Sequence, residues 1–528
     1  MQRRLTYLRR SEEEEIKDNG LTLDFDEIAR KGAMSGGEKL IGKWYGIYGS
    51  RQPGNHMARV VIPGGELTSA QARNIAKIAE DYGMGILNVT TRQAIQFHWL
   101  KAGRLADMLR DLRKEGSTTW HGCGDVTRTI AACPLAETCK YARFNVRKFA
   151  KSTNDYLTNC DDLENLPRKF KITFSGCSAG CGQPYLNCLG AIATTVKQNG
   201  EEKDGFKIVI GGGMGWRAFV AEELFSFIPK EKMERVARAV ALLFRDYGDR
   251  FDRTTSRLKF VVHRQGIDKC REIVLDFLEK EGVDTSDMLT TPVEDLGLTP
   301  PDRPLIEDNP IGTDGKHTVD VRIPKGELNY RQFKQLAVLS EMYGNQRVYT
   351  TNRQNIQLKG IEPEKVEEVK AKVKELGFEV DGMFGLRDIV SCVGTTYCPK
   401  AVSRTRDMFD SLNELVNAQK YKEIEKKAII NITGCPNSCS PYRIADIGLR
   451  GMRIREELGS VEGYEIVIGG TQTNHGKKIG EFKFEDCVEV VENILDYFAA
   501  NRNADETLVD TVERIGVKPF KEAVYTEA

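Results

Sequence analysis

The 528-residue chain carries 77 Lys plus Arg against 77 Asp plus Glu, a formal net charge of zero. That length predicts about three or four domains with well-filled cores, which excludes a small disulfide-stapled scaffold. The even charge balance gives no global field for nucleic acid or an anionic membrane surface, and no apolar run approaches bilayer-spanning length.

The opening stretch, MQRRLTYLRRSEEEEIKD, has no apolar core and turns acidic at once, so it reads as neither a secretory signal nor a transit peptide. A reducing cytoplasm is the expected compartment, since thiolates stay available there. From residue 59, RVVIPGGELTSAQARNIAKIAEDYGMGILNVTTRQAIQFH predicts a strand, a glycine turn, a helix and a second strand ending in TTRQ, before the amphipathic helix GRLADMLRDLRKEG. From residue 320, DVRIPKGELNYRQFKQLAVLSEMYGNQRVYTTNRQNIQL repeats this order and leads into EKVEEVKAKVKELG. Pro63 and Pro324, Glu66 and Glu327, and Arg92 and Arg353 are all separated by the same 261 positions. Two strand-helix-strand-helix units related by a pseudo-twofold follow from this duplication. A larger α/β segment comes after each, with apolar strands closing on glycines in KIVIGGGMGW (207–216) and EIVIGGTQTNHG (465–476). The first lacks G-x-G-x-x-G spacing and reads as a packed turn or cofactor wall, not a dinucleotide site. Residues 284–316, rich in Pro, Asp and Gly, read as the linker between halves.

Each half carries one cysteine quartet of the form C-x5-C then C-x3-C: Cys133, Cys139, Cys177 and Cys181, and Cys392, Cys398, Cys435 and Cys439. Four thiolates without interleaved histidines favour a 4Fe-4S cluster in each quartet. Structural zinc is the competing metal reading, but a C-x5-C arm fits zinc spacing poorly, and simple buried packing is the competing reading of the first quartet. Cys123, Cys160, Cys188, Cys270 and Cys487 fall outside both.

The stretch Thr433, Gly434, Cys435, Cys439, Asp446, Ile447, Gly448 and Leu449 meets the signature of the siroheme-dependent sulfite and nitrite reductases, [STV]-G-C-x3-C-x6-[DE]-[LIVMF]-[GAT]-[LIVMF]. With PGGEL, TRQAIQFH, DVTRT and LPRKFK, the resemblance runs from about residue 40 onward. It implies an α/β (α+β), pseudo-twofold duplicated, three-domain fold with two ferredoxin-like half-domains and two larger siroheme/cluster domains. The corresponding boundaries are 1–120, 121–300, 301–385 and 386–528.

The resemblance further implies siroheme between the halves, with Cys439 bridging its iron to a cluster held also by Cys392, Cys398 and Cys435. Arg92, Gln96 and Asn437 match positions that bind the carboxylate-rich macrocycle, and Arg59, Arg128, Lys169 and Lys171 match the cations around an anionic substrate. A cationic cluster also suits oxyanion reduction on chemical grounds, through charge stabilisation and proton delivery. Lys169-Phe170-Lys171 resembles the K-x-K of sulfite reductases, with nitrite as the alternative substrate. A siroheme-free iron-sulfur electron-transfer protein is the alternative of another class. The first quartet resembles dissimilatory sulfite reductases and implies a second cluster acting as an electron relay. In the second half Arg387 matches Arg128 and Lys427 matches Lys169, but Asp320 stands opposite Arg59 and Ile429 opposite Lys171, which argues against a second siroheme. The first quartet departs from the signature at Cys188, where an acid is expected, and at Ala179, opposite Asn437. No flavin or nicotinamide module is visible, so ferredoxin or a reductase partner is the expected electron donor.

Overall fold

The duplicated PGGEL and PKGEL segments do more than turn the chain. In the computed structural model, which describes residues 12–215, 217–301, 307–457 and 459–525, each segment leads into a three-residue strand that leaves its own half. Strand Glu66–Thr68 pairs antiparallel with Arg347–Thr350, and Glu327–Asn329 pairs with Ile86–Val89. The exchange fuses a five-stranded and a four-stranded sheet over one hydrophobic core that draws on both halves. Each exchanged strand then starts a helix through a capping box. Thr68 caps Ser69–Tyr82 with Gln71 reaching back, and Asn329 caps Tyr330–Tyr343 with Gln332 reaching back. The residues before the described start, Trp216 of the GGGMGW turn and residues 302–306 of the expected linker lie outside the described residues.

One sequence expectation needs correction. TTRQ and TTNRQ are turns, not strand ends: Ile86–Val89 stops before the first, and a further strand, Ile95–Lys101, follows it. That strand lies inside the sheet, between Asn55–Val60 and Ile86–Val89. Its residues Ile95 to His98 are buried on both faces, so it lacks the alternation that marks a half-exposed strand. Each unit is therefore strand-helix-hairpin-helix.

The two turns also tie the sheets to the rest of the molecule. Gln93 and Gln354, 261 apart, both adopt positive φ, 58° and 65°. The Gln93 amide donates to Thr350 O at 3.0 Å and accepts from Ala132 N at 2.8 Å. Gln354 donates to Val89 O at 3.1 Å and accepts from Ser391 N at 3.0 Å. Each buried glutamine thus links the two sheets and the strand that precedes a cysteine quartet.

The two cysteine-bearing segments share one topology. Ala131–Ala132, Ile172–Ser175 and Leu189–Gln198 run parallel, and Glu201–Ile210 and Glu222–Pro229 add antiparallel strands. Val390–Ser391, Ile430–Thr433, Ile447–Glu456, Gly459–Ile468 and Lys477–Lys483 repeat the order. Each sheet packs on its own core. Among the described residues no helix is long and apolar enough to cross a membrane.

Candidate active site and cluster loops

In each sheet the quartet follows the ends of the first two strands. Cys133 and Cys177 follow Ala131–Ala132 and Ile172–Ser175, and Cys392 and Cys435 follow Val390–Ser391 and Ile430–Thr433. Backbone bonds Cys133 N to Phe174 O (2.8 Å) and Cys392 N to Ile432 O (3.1 Å) hold the two arms of each quartet side by side. The C-x3-C arms close by a turn, Gly180 N to Cys177 O and Ser438 N to Cys435 O, both 3.2 Å. Gly180 supplies the positive φ in one copy (69°), and Ser438 carries it in the other (49°).

The thiols of each quartet lie within electrostatic reach of one another. Burial drives Cys392 up to about 12, with Cys439 and Cys435 adding to the rise, and burial drives Cys177 up to about 11, with Cys133 and Cys139 adding. Cys133 falls to about 7, mainly because the Cys181 thiol hydrogen-bonds to it. The Gly434 N–H donates to Cys392 Sγ at 3.1 Å, an amide-to-sulfur bond of the kind that tunes a cluster. Among the described residues no three of His, Cys, Asp and Glu converge on a single-ion site; a cubane spreads its thiolates over separate irons and does not require them to. The donor set, four soft thiols at two strand ends, fits a 4Fe-4S cluster in both quartets. Under the first quartet, buried Arg147 and Lys359 both donate to Pro134 O (2.9 and 2.5 Å) and to Glu137 (3.1 and 2.8 Å), clamping the C-x5-C loop.

Cys439 is exposed, and it opens into a cavity shared with Arg92, Lys169, Lys171, Asn437 and Arg257. Lys169 and Lys171 reach it together because they are two apart on extended chain and so share a face, while Phe170 points into the core, fully buried. DVTRT runs parallel beside this segment, with Arg128 N donating to Phe170 O at 2.8 Å, which brings Arg128 to the lysines. Arg59, on Asn55–Val60, and Arg128 both donate to Gly122 O, at 3.0 and 3.3 Å. Neither arginine is among the residues lining the cavity, but both raise the positive potential at Arg92. Gln96, expected at the macrocycle, sits behind Arg59: with its amide oxygen facing the guanidinium it accepts from Nε at 3.1 Å and from a terminal nitrogen at 2.6 Å. Burial, then Arg92 and Arg257, pull the Lys171 ammonium down to about 7, and burial, then Lys171 and Arg257, pull Lys169 well below its ordinary value. These lysines are partly buried and line the cavity, so their enclosure sets the direction.

Arg92 directs its terminal nitrogens to Asn187 Oδ1 (2.8 Å), Thr129 O (2.6 Å) and Ile172 O (3.0 Å), and its buried Nε has no protein partner. An enclosed space with four cations and no Asp or Glu among its described lining residues, one thiol at its mouth and an orphaned buried guanidinium nitrogen fits a polycarboxylate cofactor beside a cluster. Arg257 was not foreseen from the sequence, since no motif surrounds it. Thr91 and Asn352 were legible through the repeat: they are 261 apart, and their side chains donate to Cys439 O (2.8 Å) and Cys181 O (2.7 Å).

A second cavity borders Cys181, with Gln183 and Asn352 lining both. Its cations are already paired. Arg353 is tied to Asp388 and Lys426 to Asp308 (2.9 Å); Arg387, the counterpart of Arg128, is not among the lining residues and meets Glu425, Glu379 and Asp381 (2.5, 3.0 and 2.9 Å). Ile429 occupies its wall, and Asp320, opposite Arg59, accepts from Gln357 at 2.8 Å. This arrangement does not fit a second polycarboxylate macrocycle. His98 stacks on Tyr397 at 4.0 Å and is buried, with no role assigned.

The chain matches the family described as nitrite and sulphite reductase 4Fe-4S domain over residues 123–281 and 382–528, and the nitrite/sulfite reductase ferredoxin-like half domain over 48–115 and 311–376. It belongs to the nitrite and sulphite reductase family. The members of this family are oxidoreductases, and the chain is an enzyme of that class. It is 27% identical to a protein named sulfite reductase [ferredoxin] 2 from Mycolicibacterium paratuberculosis, covering 88% of this chain and 86% of the relative. It is 28% identical to an assimilatory ferredoxin-dependent nitrite reductase from Haloferax mediterranei (92% and 86%) and 29% identical to a ferredoxin-nitrite reductase from Synechococcus elongatus (86% and 88%). The solved structure of Mycobacterium tuberculosis NirA protein superposes with a TM-score of 0.85 over 97% of both chains at 24% identity, which establishes the duplicated fold.

Proposed function

We propose that this enzyme reduces sulfite to sulfide with six electrons, in a cavity where Arg92, Arg257 and Asn437 would hold siroheme and where Cys439, with Cys392, Cys398 and Cys435, would hold a 4Fe-4S cluster beside it. When bound, siroheme would supply the redox-active iron for the six-electron reduction. The observation that carries this reading is the convergence of Cys439 with Lys169, Lys171 and Arg92 in one cavity. Lys169 and Lys171 neutralise the anion, and Arg59 and Arg128, fixed on the Gly122 carbonyl, extend the positive field. Gln96 keeps the Arg59 guanidinium oriented. Each of the three sulfite oxygens leaves as water and takes two protons, and the enclosed lysine ammoniums, whose protons burial has loosened, deliver them.

The first quartet, Cys133, Cys139, Cys177 and Cys181, would hold a second 4Fe-4S cluster and so supply a relay for electrons from ferredoxin, a donor named in the relatives. The paired cations of the second cavity support one siroheme per chain. Two clusters of this kind call for a reducing compartment such as the cytoplasm.

The test is anaerobic purification followed by iron, acid-labile sulfide and siroheme counts, with visible spectra before and after sulfite. One siroheme and about eight cluster irons per chain are expected. Two sirohemes would overturn the one-site reading, and absence of a tetrapyrrole would leave an iron-sulfur electron-transfer protein. Turnover with reduced ferredoxin on sulfite and on nitrite decides the substrate. A higher kcat/KM on sulfite is expected, and the reverse order would make the enzyme a nitrite reductase.

A further inference from the structure

Cys188 belongs to neither quartet and is fully buried. It stands eleven residues after Cys177, just as Asp446 stands eleven after Cys435, so the duplication sets a thiol where the other half has a carboxylate. In the second half that carboxylate holds backbone in place, Asp446 Oδ2 accepting the N–H of Ile429 at 2.9 Å. The residue corresponding to Ile429 in the first half is Lys171, and the surrounding backbone is the same in both copies: Leu189 N donates to Lys171 O and Ile447 N to Ile429 O, each at 3.1 Å.

Cys188 Sγ accepts from a terminal nitrogen of Arg257 at 3.3 Å, and the nearby Lys171 backbone N–H favours its charged form. The thiol can also donate to Lys169 O, at 3.9 Å a longer contact than that with Arg257. Cations crowd this wall: Arg92, Lys171, Arg257 and Lys259 all interact with the Cys188 sulfur. Enclosed cations need a counter-anion, and no Asp or Glu is among the described residues lining the cavity. Burial alone would raise the thiol, but Arg257 and the Lys171 N–H together bring it below its ordinary value.

Resting on the anion pocket proposed above, we infer that Cys188 is a buried thiolate in the role of the second half's aspartate, a positioning residue that fixes the Lys171 backbone and the Arg257 guanidinium at the cavity wall. It touches neither substrate nor cofactor. No electron or leaving group is involved.

Charge and packing are separable here. Cys188→Ser is nearly isosteric and neutral, Cys188→Asp is charged, and both are made in the holoenzyme. The readouts are siroheme content, the dissociation constant of sulfite from the siroheme absorption change in the resting enzyme, and the KM and kcat of turnover. Cys188→Ser should weaken sulfite binding and raise KM about tenfold, the loss of one charge-assisted bond, with kcat changed less. Cys188→Asp should return the dissociation constant to within about threefold of wild type. Serine equal to wild type, or aspartate as poor as serine, overturns the inference. Arg257→Met tests the same link where the aspartate variant fails to fold. Combined with Cys188→Ser, it should weaken sulfite binding little beyond the larger single loss, whereas independent, multiplying losses would refute the link. If wild type shows no spectral response to sulfite, the anion pocket itself is wrong, which is a different failure.

Discussion

Lys171 shows how one position changes meaning between two copies of a fold. Its counterpart Ile429 lines the second cavity as an apolar wall, whereas Lys171 sits beside Cys439 in the first with its ammonium drawn to about 7 by burial, Arg92 and Arg257. Replacing it with methionine keeps the length and removes the charge. Lys171→Met should lower kcat/KM for sulfite by about 10²-fold or more with siroheme content unchanged, as loss of a preorganised electrostatic donor does; steady-state kinetics alongside the siroheme count checks this. Asp125, just ahead of Arg128, has a structural part in the same site. Burial alone would raise its pKa, but Arg168, Arg253 and Lys17, at 3.2, 2.8 and 3.5 Å, hold it below the usual value. A carboxylate depressed on folding contributes stability above its unfolded pKa of about 4 and loses it as pH falls through the folded value. Asp125→Asn should therefore cost about 3 kcal/mol at neutral pH by stranding buried cations. In denaturant titrations the gap to wild type should narrow below about pH 4.

At the scale of elements, the turns carry more of the architecture than their sequence advertises. Gln93 and Gln354 replace backbone partners across the seam between sheets, and both are buried. Gln93→Ala and Gln354→Ala should each cost about 1–3 kcal/mol, because every truncation leaves a buried carbonyl and amide unpaired; thermal melts of the apo-protein measure it without interference from cofactor loss. Gly65 is held as tightly. Its φ is +74°, and a Cβ there would meet Thr350 O at 2.3 Å, so Gly65→Ala should be worse tolerated than alanine at exposed Gly20, where nothing lies within 4 Å. The cysteine spacing was readable in the chain because ligand arms are local. The hairpin strand Ile95–Lys101 was not, because a strand buried on both faces carries no alternation.

For the whole molecule, the exchanged strands make the halves interdependent. Leu67 and Leu328, the central residues of the exchanged strands, are each about nineteen-twentieths buried or more, and both lie in the core built from both halves. A fragment of residues 1–300 expressed alone should therefore fail to give a stable monomer, exposing the core edge that Arg347–Thr350 covers. Size-exclusion chromatography would show aggregate or dimer, and mixing with the complementary fragment should restore a soluble species. The pairing of the second-cavity cations belongs to the same scale, since Arg353 and Asp388 are 35 positions apart and Lys426 and Asp308 are 118 apart.

The sequence by itself determined the duplication, both cysteine quartets and the family, because these depend on residue identity at fixed local spacing, and spacing survives without a fold. It also marked Lys169 and Lys171 as a pair, through the resemblance of Lys169-Phe170-Lys171 to the K-x-K of sulfite reductases. Only the tertiary structure decided that Arg257 joins them, that Gln96 steadies Arg59 and stands outside the cavity lining, and that Arg353, the repeat of Arg92, is consumed by Asp388. The physical reason is the range of the forces. Ligand arms and capping boxes close over a few residues, whereas the charge state and reach of a buried cation depend on whichever distant segments fold against it.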